Sequence, residues 1–453
     1  MNQSISTLSE RPSDTAIAPT SSVIRRPRPT HVRFFMLALV LLATIINYLD
    51  RTNLSVVAPF MSKELGIDKF HMGLLFSAFA WTYAIALIPA GVVVDKFGSR
   101  VVYGVSLILW SIATFMQGSA RSFVSLLGLR LVIGTCEAPA FPANARAVTM
   151  WFPQNERGMA TGIYVMGQYL GTALFSALLL WMTTVFGWHA VFYVSGAVGV
   201  VFGLIWFALY RDPAHSKLVN EEELRLISDG GGLANSADAI KFKWSHALQL
   251  LRYRQIWALC IGKFASSSAL YFFLTWFPTY LLEDRHITIL KTGFFSILPF
   301  VGATIGILLG GWGADKLIRR GASVSFARKF PLIVGSLLGS TIVLANFTDS
   351  DALCIAILTG AFFAQGLSAT SWAAMSEVAP KGLIGVTAGL TSVGANLAGI
   401  VTPIVIGYIV RETGSFAWGL GFISILSLIG TCSYAFLMGP VSRIVLDHPA
   451  EAV

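Results

Sequence analysis

Apolar runs of about 20 residues recur along the whole chain, separated by short polar stretches, and this recurrence limits the fold more than any other feature. A hydrocarbon layer about 30 Å thick is crossed by about 20 helical residues, and inside it only helices or closed barrels satisfy their backbone groups. Runs of this length predict helices. They fall near residues 34–58, 72–94, 101–119, 123–147, 158–182, 188–210, 255–282, 289–314, 329–347, 352–377, 383–409 and 416–438. The expected fold class is therefore an all-α membrane protein with twelve transmembrane helices, numbered here as spans 1 to 12. With 12% charged residues and a mean hydropathy of +0.70, the chain lies far from soluble proteins, which carry about 25% charge.

The net charge of +9 suggests an acidic partner such as nucleic acid, but its distribution gives a better account. About 23 of the 32 Lys and Arg residues fall on one side of the predicted spans, including Arg25, Arg26 and Arg28, the stretch 211–254, and Lys316, Arg319, Arg320, Arg328 and Lys329. The positive-inside rule then places both termini in the cytoplasm. Residues 1–33, rich in Ser, Thr, Pro and Arg, read as a disordered tail. The first apolar run is too long for a signal peptide and is expected to remain as a span. Cys136, Cys260, Cys354 and Cys432 all lie in apolar runs without metal or redox spacing and read as reduced packing residues.

The longest polar break, 211–254, divides the spans six and six: an N-terminal set over 34–210 and a C-terminal set over 255–438, followed by a tail, 439–453. Within the break Asn220-Glu-Glu-Glu-Leu-Arg reads as a capped surface helix that Gly230-Gly231-Gly232 ends. Equal halves suggest duplication, which the residues support. Gly91-x-x-x-Asp95-Lys96-Phe97-Gly98-Ser99-Arg100 follows span 2, and Gly311-x-x-x-Asp315-Lys316-Leu317-Ile318-Arg319-Arg320 follows span 8. Trp151-Phe152-Pro153 corresponds to Val378-Ala379-Pro380 at a similar offset, aligning Gly162 with Gly389 and Gly167 with Gly394. In each copy the glycine would let two helices approach closely and the Asp, at a helix start among basic residues, would form a breakable latch.

On these motifs the chain resembles the major facilitator superfamily, whose loop between spans 2 and 3 carries G-x-x-x-D-[RK]-x-G-[RK]-[RK]. The first copy departs from that pattern at Ser99 and the second at Ile318, so the tighter latch is expected in the first half. The resemblance covers all twelve spans and implies two six-helix bundles around a cavity that opens alternately to either side. Gly91, Asp95, Arg100, Gly311, Asp315 and Arg319 become the candidate cytoplasmic gate.

Charges inside the spans mark the candidate site. Asp50 and Arg51 are consecutive in span 1, and an intramembrane ionisable residue reads as functional. Neighbours on a helix point about 100° apart, so the two should seek partners on other helices. By the helical rise both lie about 12–14 Å from the outer end of span 1, level with Arg130 of span 4, so that Asp50 and Arg130 could pair. Arg130, Glu137 and Asn144, spaced by seven, form a polar stripe expected to face the cavity. These four charges sum to zero. They either lock spans 1 and 4 together or couple protons to an anion: an anion that draws an arginine away from a carboxylate leaves that carboxylate to take up a proton.

Finer stretches resemble the bacterial anion and cation symporters for sugar acids, most closely the galactonate and glucarate transporters: Asn47-Tyr48-Leu49-Asp50-Arg51, Phe76-Ser77-Ala78-Phe79-Ala80-Trp81, Glu137-Ala138-Pro139-Ala140-Phe141-Pro142, Phe273-Leu274-Thr275-Trp276-Phe277-Pro278 and Thr402-Pro403. That resemblance implies that Asp50 and Glu137 are the protonation pair, with Arg51 and Arg130 as charge partners. It also implies that Tyr48, Arg51, Tyr83, Gln168 and Trp372 contact substrate. Without it, Tyr83 and Trp372 read equally as helix packing or an aromatic belt. The chain departs from the relatives at Lys263, where they have Gln, at Ser392, where they have Asn, and mildly at Ser371; Asn396, one turn past Ser392, could supply the missing amide. Lys263 either meets a substrate carboxylate or snorkels to the cytoplasmic side. Glu377 reads as interfacial, His189 as a wetted loop residue, and Lys381, Arg146 and Arg157 as lipid or latch contacts.

The expected function is proton-coupled import of a sugar acid anion, an aldonate such as galactonate or an aldarate such as glucarate or galactarate, across the bacterial inner membrane. Hexuronate, ketoaldonate or tartrate import and an efflux antiporter on the same fold are the alternatives, with a non-transporting sensor further off because the tails are too short for a signalling domain. No P-loop, Ser/His/Asp set or metal spacing is present in the sequence, so no enzymatic activity, metal or cofactor is expected. The expected partners are the organic anion, protons and lipid, with no nucleic acid, and the protein is expected to be a monomer.

Overall fold

Eleven helices among the described residues are long and apolar enough to cross a membrane, and one of them holds two crossings. Lys69–Gln117 runs for 49 residues, about 74 Å at the helical rise, more than twice the hydrocarbon thickness. It is divided at Gly98, whose φ of 80° and ψ of 156° break the helical path. Spans 2 and 3 therefore meet at a single glycine, and only glycine takes that backbone conformation without strain. In the second copy the equivalent position is Ile318, which stays helical; span 8 continues to Arg319, and the turn waits for Gly321 at φ 90°. The departure at Ile318 thus moves the turn by three residues.

The computed structural model describes residues 29–154, 156–230, 248–380 and 383–445. The tail that carries Arg25, Arg26 and Arg28, the glycines 231 and 232, Lys381 and residues 446–453 lie outside the described residues. Every described element is helical, as the apolar runs require. Local signals set the ends: span 1 (Val32–Leu65) stops at left-handed Gly66, Asp68 caps span 2 by accepting from His71 N at 2.8 Å, and a Ser122–Ser125 capping box opens span 4. The surface helix Glu221–Asp229 forms with Asn220 as its cap, as its sequence predicts.

That surface helix also does something its own sequence does not announce. Glu223, fully buried, accepts from Thr30 Oγ1 at 2.6 Å, from the backbone N–H groups of Val32 and Arg33 at 3.1 and 3.2 Å, and from Arg33 Nη1 at 3.2 Å. A carboxylate 190 residues away in sequence thereby caps span 1, whose own N-cap His31 makes no side-chain bond.

Spans 1 to 6 pack with one another, as do spans 7 to 12, and the two sets meet mainly through span 2 against span 11 and span 5 against span 8. At the end away from the termini this contact is tight. Lys69 pairs with Glu283 and Phe76 meets Trp276 edge-on at 5.1 Å between centroids, while Trp276 is fixed within its own half by donating from Nε1 to Pro403 O at 3.1 Å. A Cβ on Gly73 would lie 2.5 Å from Pro403 O, and one on Gly407 only 2.4 Å from Lys69 O. At the end that bears the termini, by contrast, the matched glycines Gly91, Gly311, Gly162 and Gly389 have nothing within 4 Å of a Cβ position. The halves are closed at one end and parted at the other.

Candidate substrate and proton site

Asp50 and Arg51 leave span 1 in different directions, as the helical step requires. Asp50, 3% exposed, accepts from Trp110 Nε1 of span 3 at 3.0 Å and from Asn53 Nδ2 at 3.4 Å; Asn53 in turn donates to Ser195 Oγ of span 6 at 2.6 Å. Arg51 turns to span 4 and donates from Nε to Glu137 Oε1 at 2.5 Å. Its guanidinium lies 4.8, 4.6 and 5.1 Å from the ring centroids of Tyr48, Phe79 and Tyr83. Three aromatic faces and one carboxylate hold the cation.

The expected pairing of Asp50 with Arg130 is not formed. Among the described residues no carboxylate oxygen lies within 4 Å of the Arg130 guanidinium, which sits 5.5 Å from the Phe79 centroid with its Nε unpartnered. Depth along the helices put the two residues level, but direction around span 1 points Asp50 at spans 3 and 6 instead. The four charges still form one electrostatic cluster, since Arg130 and Glu137 each interact with the other and with both Asp50 and Arg51.

The polar stripe of span 4 also lies differently from expectation. Arg130, Glu137 and Asn144 are 4%, 0% and 1% exposed, and Asn144 Nδ2 donates to Thr44 Oγ1 of span 1 at 3.1 Å. The stripe faces span 1, not open space, because span 1 is packed against span 4 in this arrangement. Glu137 ends a helical segment, Phe123–Glu137, and helix resumes at Ala140 after Pro139. A proline there removes a backbone donor and interrupts the span beside the buried carboxylate.

Beside this cluster Tyr48 donates its hydroxyl to Gln168 Oε1 of span 5 at 3.0 Å, and Tyr83 stacks on Phe79 at 5.2 Å. Tyr48, Tyr83 and Gln168 are thus brought together around Arg51. Phe79 was not singled out from sequence, though it lies one turn before Tyr83 on the same face, and periodicity would have found it. Trp110 carried no signal beyond being aromatic.

Across the molecule Lys263 of span 7 is 5% exposed; its Nζ donates to Thr391 Oγ1 of span 11 at 3.1 Å and lies 3.7 Å from the Trp372 centroid. It is held inside the bundle and does not reach for the helix end. Trp372 is 55% exposed, and Ser371 is buried beside it. Ser392 and Asn396 are half-buried on span 11; the residue that touches Lys263 is their neighbour Thr391, which sequence reasoning passed over.

The gate residues divide unevenly. In the first copy Asp95 is exposed with no ion pair within 4 Å among the described residues, Ser99 Oγ donates to Ala143 O at 3.0 Å, and Arg100 Nη2 donates to Phe207 O at 2.9 Å. In the second, Asp315 pairs with Arg328 at 3.0 Å, and Arg328 reaches Glu377 at 3.8 Å, while Arg319 is exposed. Of the two motif aspartates, Asp315 and not Asp95 holds an ion pair among the described residues, whereas the tighter latch was expected in the first half. The small Ser99 lets the first turn tuck in and be tied by hydrogen bonds instead. Glu377 belongs to the second-half ion-pair chain, and Arg146 pairs with Asp212 at 3.6 Å beside the Gly98 turn.

Paired halves, glycine-marked turns and buried intramembrane charges are the marks of one large group of carriers, and its sequence pattern, Major Facilitator Superfamily, matches residues 40–403. The chain belongs to the major facilitator superfamily. Superfamily relatives include the D-galactonate transporter of Escherichia coli O6:H1, 42% identical over 426 residues that cover 93% of this chain and 99% of that one. The probable galactarate/D-glucarate transporter of Bacillus subtilis strain 168 is 40% identical over 442 residues, covering 95% and 97%. A bacterial homologue of the human lysosomal transporter Spinster, solved in an inward-facing and unoccupied conformation, shares the fold with a TM-score of 0.67 at 19% identity, over 90% of this chain and 95% of that one. This superfamily member is a multi-pass membrane transporter and not an enzyme.

Proposed function

We propose that this transporter imports a sugar acid anion, an aldonate such as galactonate or an aldarate such as galactarate or glucarate, together with protons across the bacterial inner membrane. The observation that carries the reading is the buried Arg51–Glu137 pair within a ring of Tyr48, Phe79 and Tyr83, next to a second buried carboxylate, Asp50. The names of the relatives supply the substrate class. The excess of Lys and Arg toward the end that bears the termini supports placing that end in the cytoplasm, so this state is open inward and closed outward.

Chemically, a buried ion pair costs about 3–5 kcal/mol to break by removing one partner. An entering carboxylate that offers Arg51 an equivalent partner removes most of that penalty and lets the guanidinium leave Glu137. Glu137, now without its cation in a low-dielectric site, accepts a proton, so that anion and proton bind together. Arg130, which holds no carboxylate of its own among the described residues, is placed to receive either the substrate or a carboxylate released by Arg51. Trp110 and Asn53 keep Asp50 aimed at spans 3 and 6, where it joins the same proton equilibrium. The tyrosines and Gln168 offer donors and acceptors to hydroxyl groups. Alternation between inward- and outward-open states, with Asp95, Arg100, Asp315 and Arg319 at the inner gate, completes the cycle. Each net positive charge carried inward gains about 2.3 kcal/mol per 100 mV.

The test is uptake of labelled galactonate and galactarate by proteoliposomes under an imposed proton gradient. Asp50→Asn and Glu137→Gln are expected to abolish accumulation while retaining substrate exchange. Full accumulation in both variants would overturn their proton role, and no uptake of either compound by the parent protein would overturn the substrate class.

A further inference from the structure

We infer that Lys263 forms a second carboxylate subsite, so that the preferred substrate is a polyhydroxy dianion with an acidic group at each end and not a monoanion. The inference rests on the sugar acid reading above and narrows it to one class.

Charge and solvation carry the argument. Lys263 is 95% removed from solvent, and among the described residues no carboxylate oxygen lies within 4 Å of its Nζ. A buried ammonium left so is costly. Among the described residues its contacts are one hydroxyl and one indole face, both neutral, and its three donors have only Thr391 Oγ1 as a hydrogen-bond acceptor. Trp372, against which the ammonium rests, is itself 55% exposed, so the buried cation lies only one side chain away from exposed surface. An anionic group entering beside Trp372 would meet the two remaining N–H donors.

The position suits the far end of a substrate held at Arg51. Tyr271 of span 7 lies close enough to Arg51 to act on its charge across the interface between the halves. Lys263 is eight residues before Tyr271, which places it about 12 Å further along the axis toward the parted end. The long side chains of Arg51 and Lys263 shorten that gap from both sides. One cation thus stands on each half, with Tyr48, Tyr83 and Gln168 beside Arg51 to meet hydroxyl groups.

Counting charge gives the same answer. Asp50, Glu137, Arg51 and Arg130 sum to zero when ionised, and Lys263 makes the lining positive by one. A dianion carried with one proton on the cluster leaves that lining neutral, whereas a monoanion with one proton leaves one uncompensated charge in a low-dielectric cavity.

The experiment is calorimetric binding of galactarate and galactonate to the purified full-length protein, with proton uptake on binding measured in weakly buffered solution. The parent protein is expected to bind galactarate at least about tenfold more tightly than galactonate, as an added charge-assisted contact supplies. Lys263→Gln should abolish or invert that ratio chiefly by weakening galactarate, and Lys263→Arg should keep it. The thermal stability of each variant without ligand reports folding. A parent preference for galactonate, or equal loss of both ligands in a folded Lys263→Gln, overturns the subsite while leaving the sugar acid reading in place. Failure of the folded parent protein to bind either compound overturns both.

Discussion

Replacing Gly73 by leucine should force apart the end of the molecule that is now closed. The glycine sits where span 2 crosses span 11, and an added Cβ would lie 2.5 Å from Pro403 O and 3.1 Å from its carbonyl carbon. These are backbone atoms, which no rotamer change can move aside. Ordinary contact begins near 3.4 Å, so the helices must separate by about 1 Å for the Cβ alone. Separation also pulls apart the Phe76–Trp276 contact between the halves. Overpacking of this kind costs about 1–3 kcal/mol, and because only the state closed at this end bears the cost, its population should fall about 5- to 150-fold relative to the opposite state. Spin labels on Lys63→Cys and Glu412→Cys, both exposed at that end on opposite halves, report the separation once the four native cysteines are replaced. Gly73→Leu, and Gly407→Leu from the other side, should lengthen the distance. Gly91→Leu, at a position with nothing within 4 Å, should not. An unchanged distance in folded Gly73→Leu would refute the argument that these glycines seal the closed end.

Two further outcomes follow from single contacts. Trp110→Phe keeps the aromatic bulk but removes the donor to Asp50 Oδ2; with a charge-assisted bond lost, the ratio of proton-driven uptake to exchange should fall roughly tenfold, and an unaltered ratio would show that Asp50 does not need its indole partner. Glu223→Ala strips span 1 of its cap and leaves Arg33 with Glu156 alone. Its destabilisation should be about 3–5 kcal/mol, read as a lowered unfolding midpoint in detergent; a loss below about 1 kcal/mol would mean that the linker helix is not fastened to span 1.

The twelve crossings were legible because a bilayer sets a length, and runs of about 20 apolar residues meet it whatever their neighbours do. The motif carrying Gly98 was legible as the link between spans 2 and 3, but the turn at Gly98 itself and its displacement to Gly321 were not read from the sequence, although positive φ is a local demand of the backbone. The divergence of Asp50 from Arg51 follows from the 100° step between adjacent helical residues. Their partners did not follow. Rise along a helix gives depth, and depth made Asp50 and Arg130 level, but the identity of a partner depends on how neighbouring helices are rotated and tilted. Tilt and rotation are set by packing over the whole bundle.

The sequence by itself thus determined the number of spans, the repeat, and which charges lie within the apolar runs, because each is read from short stretches of neighbouring residues, singly or matched to one another. Only the tertiary structure decided that Arg51 pairs with Glu137 inside three aromatic rings, that Asp50 rests on Trp110, that Glu223 caps span 1, and that Lys263 meets Thr391 and Trp372. Each of these joins residues far apart in sequence, and a contact of that kind exists only once the helices have chosen their faces.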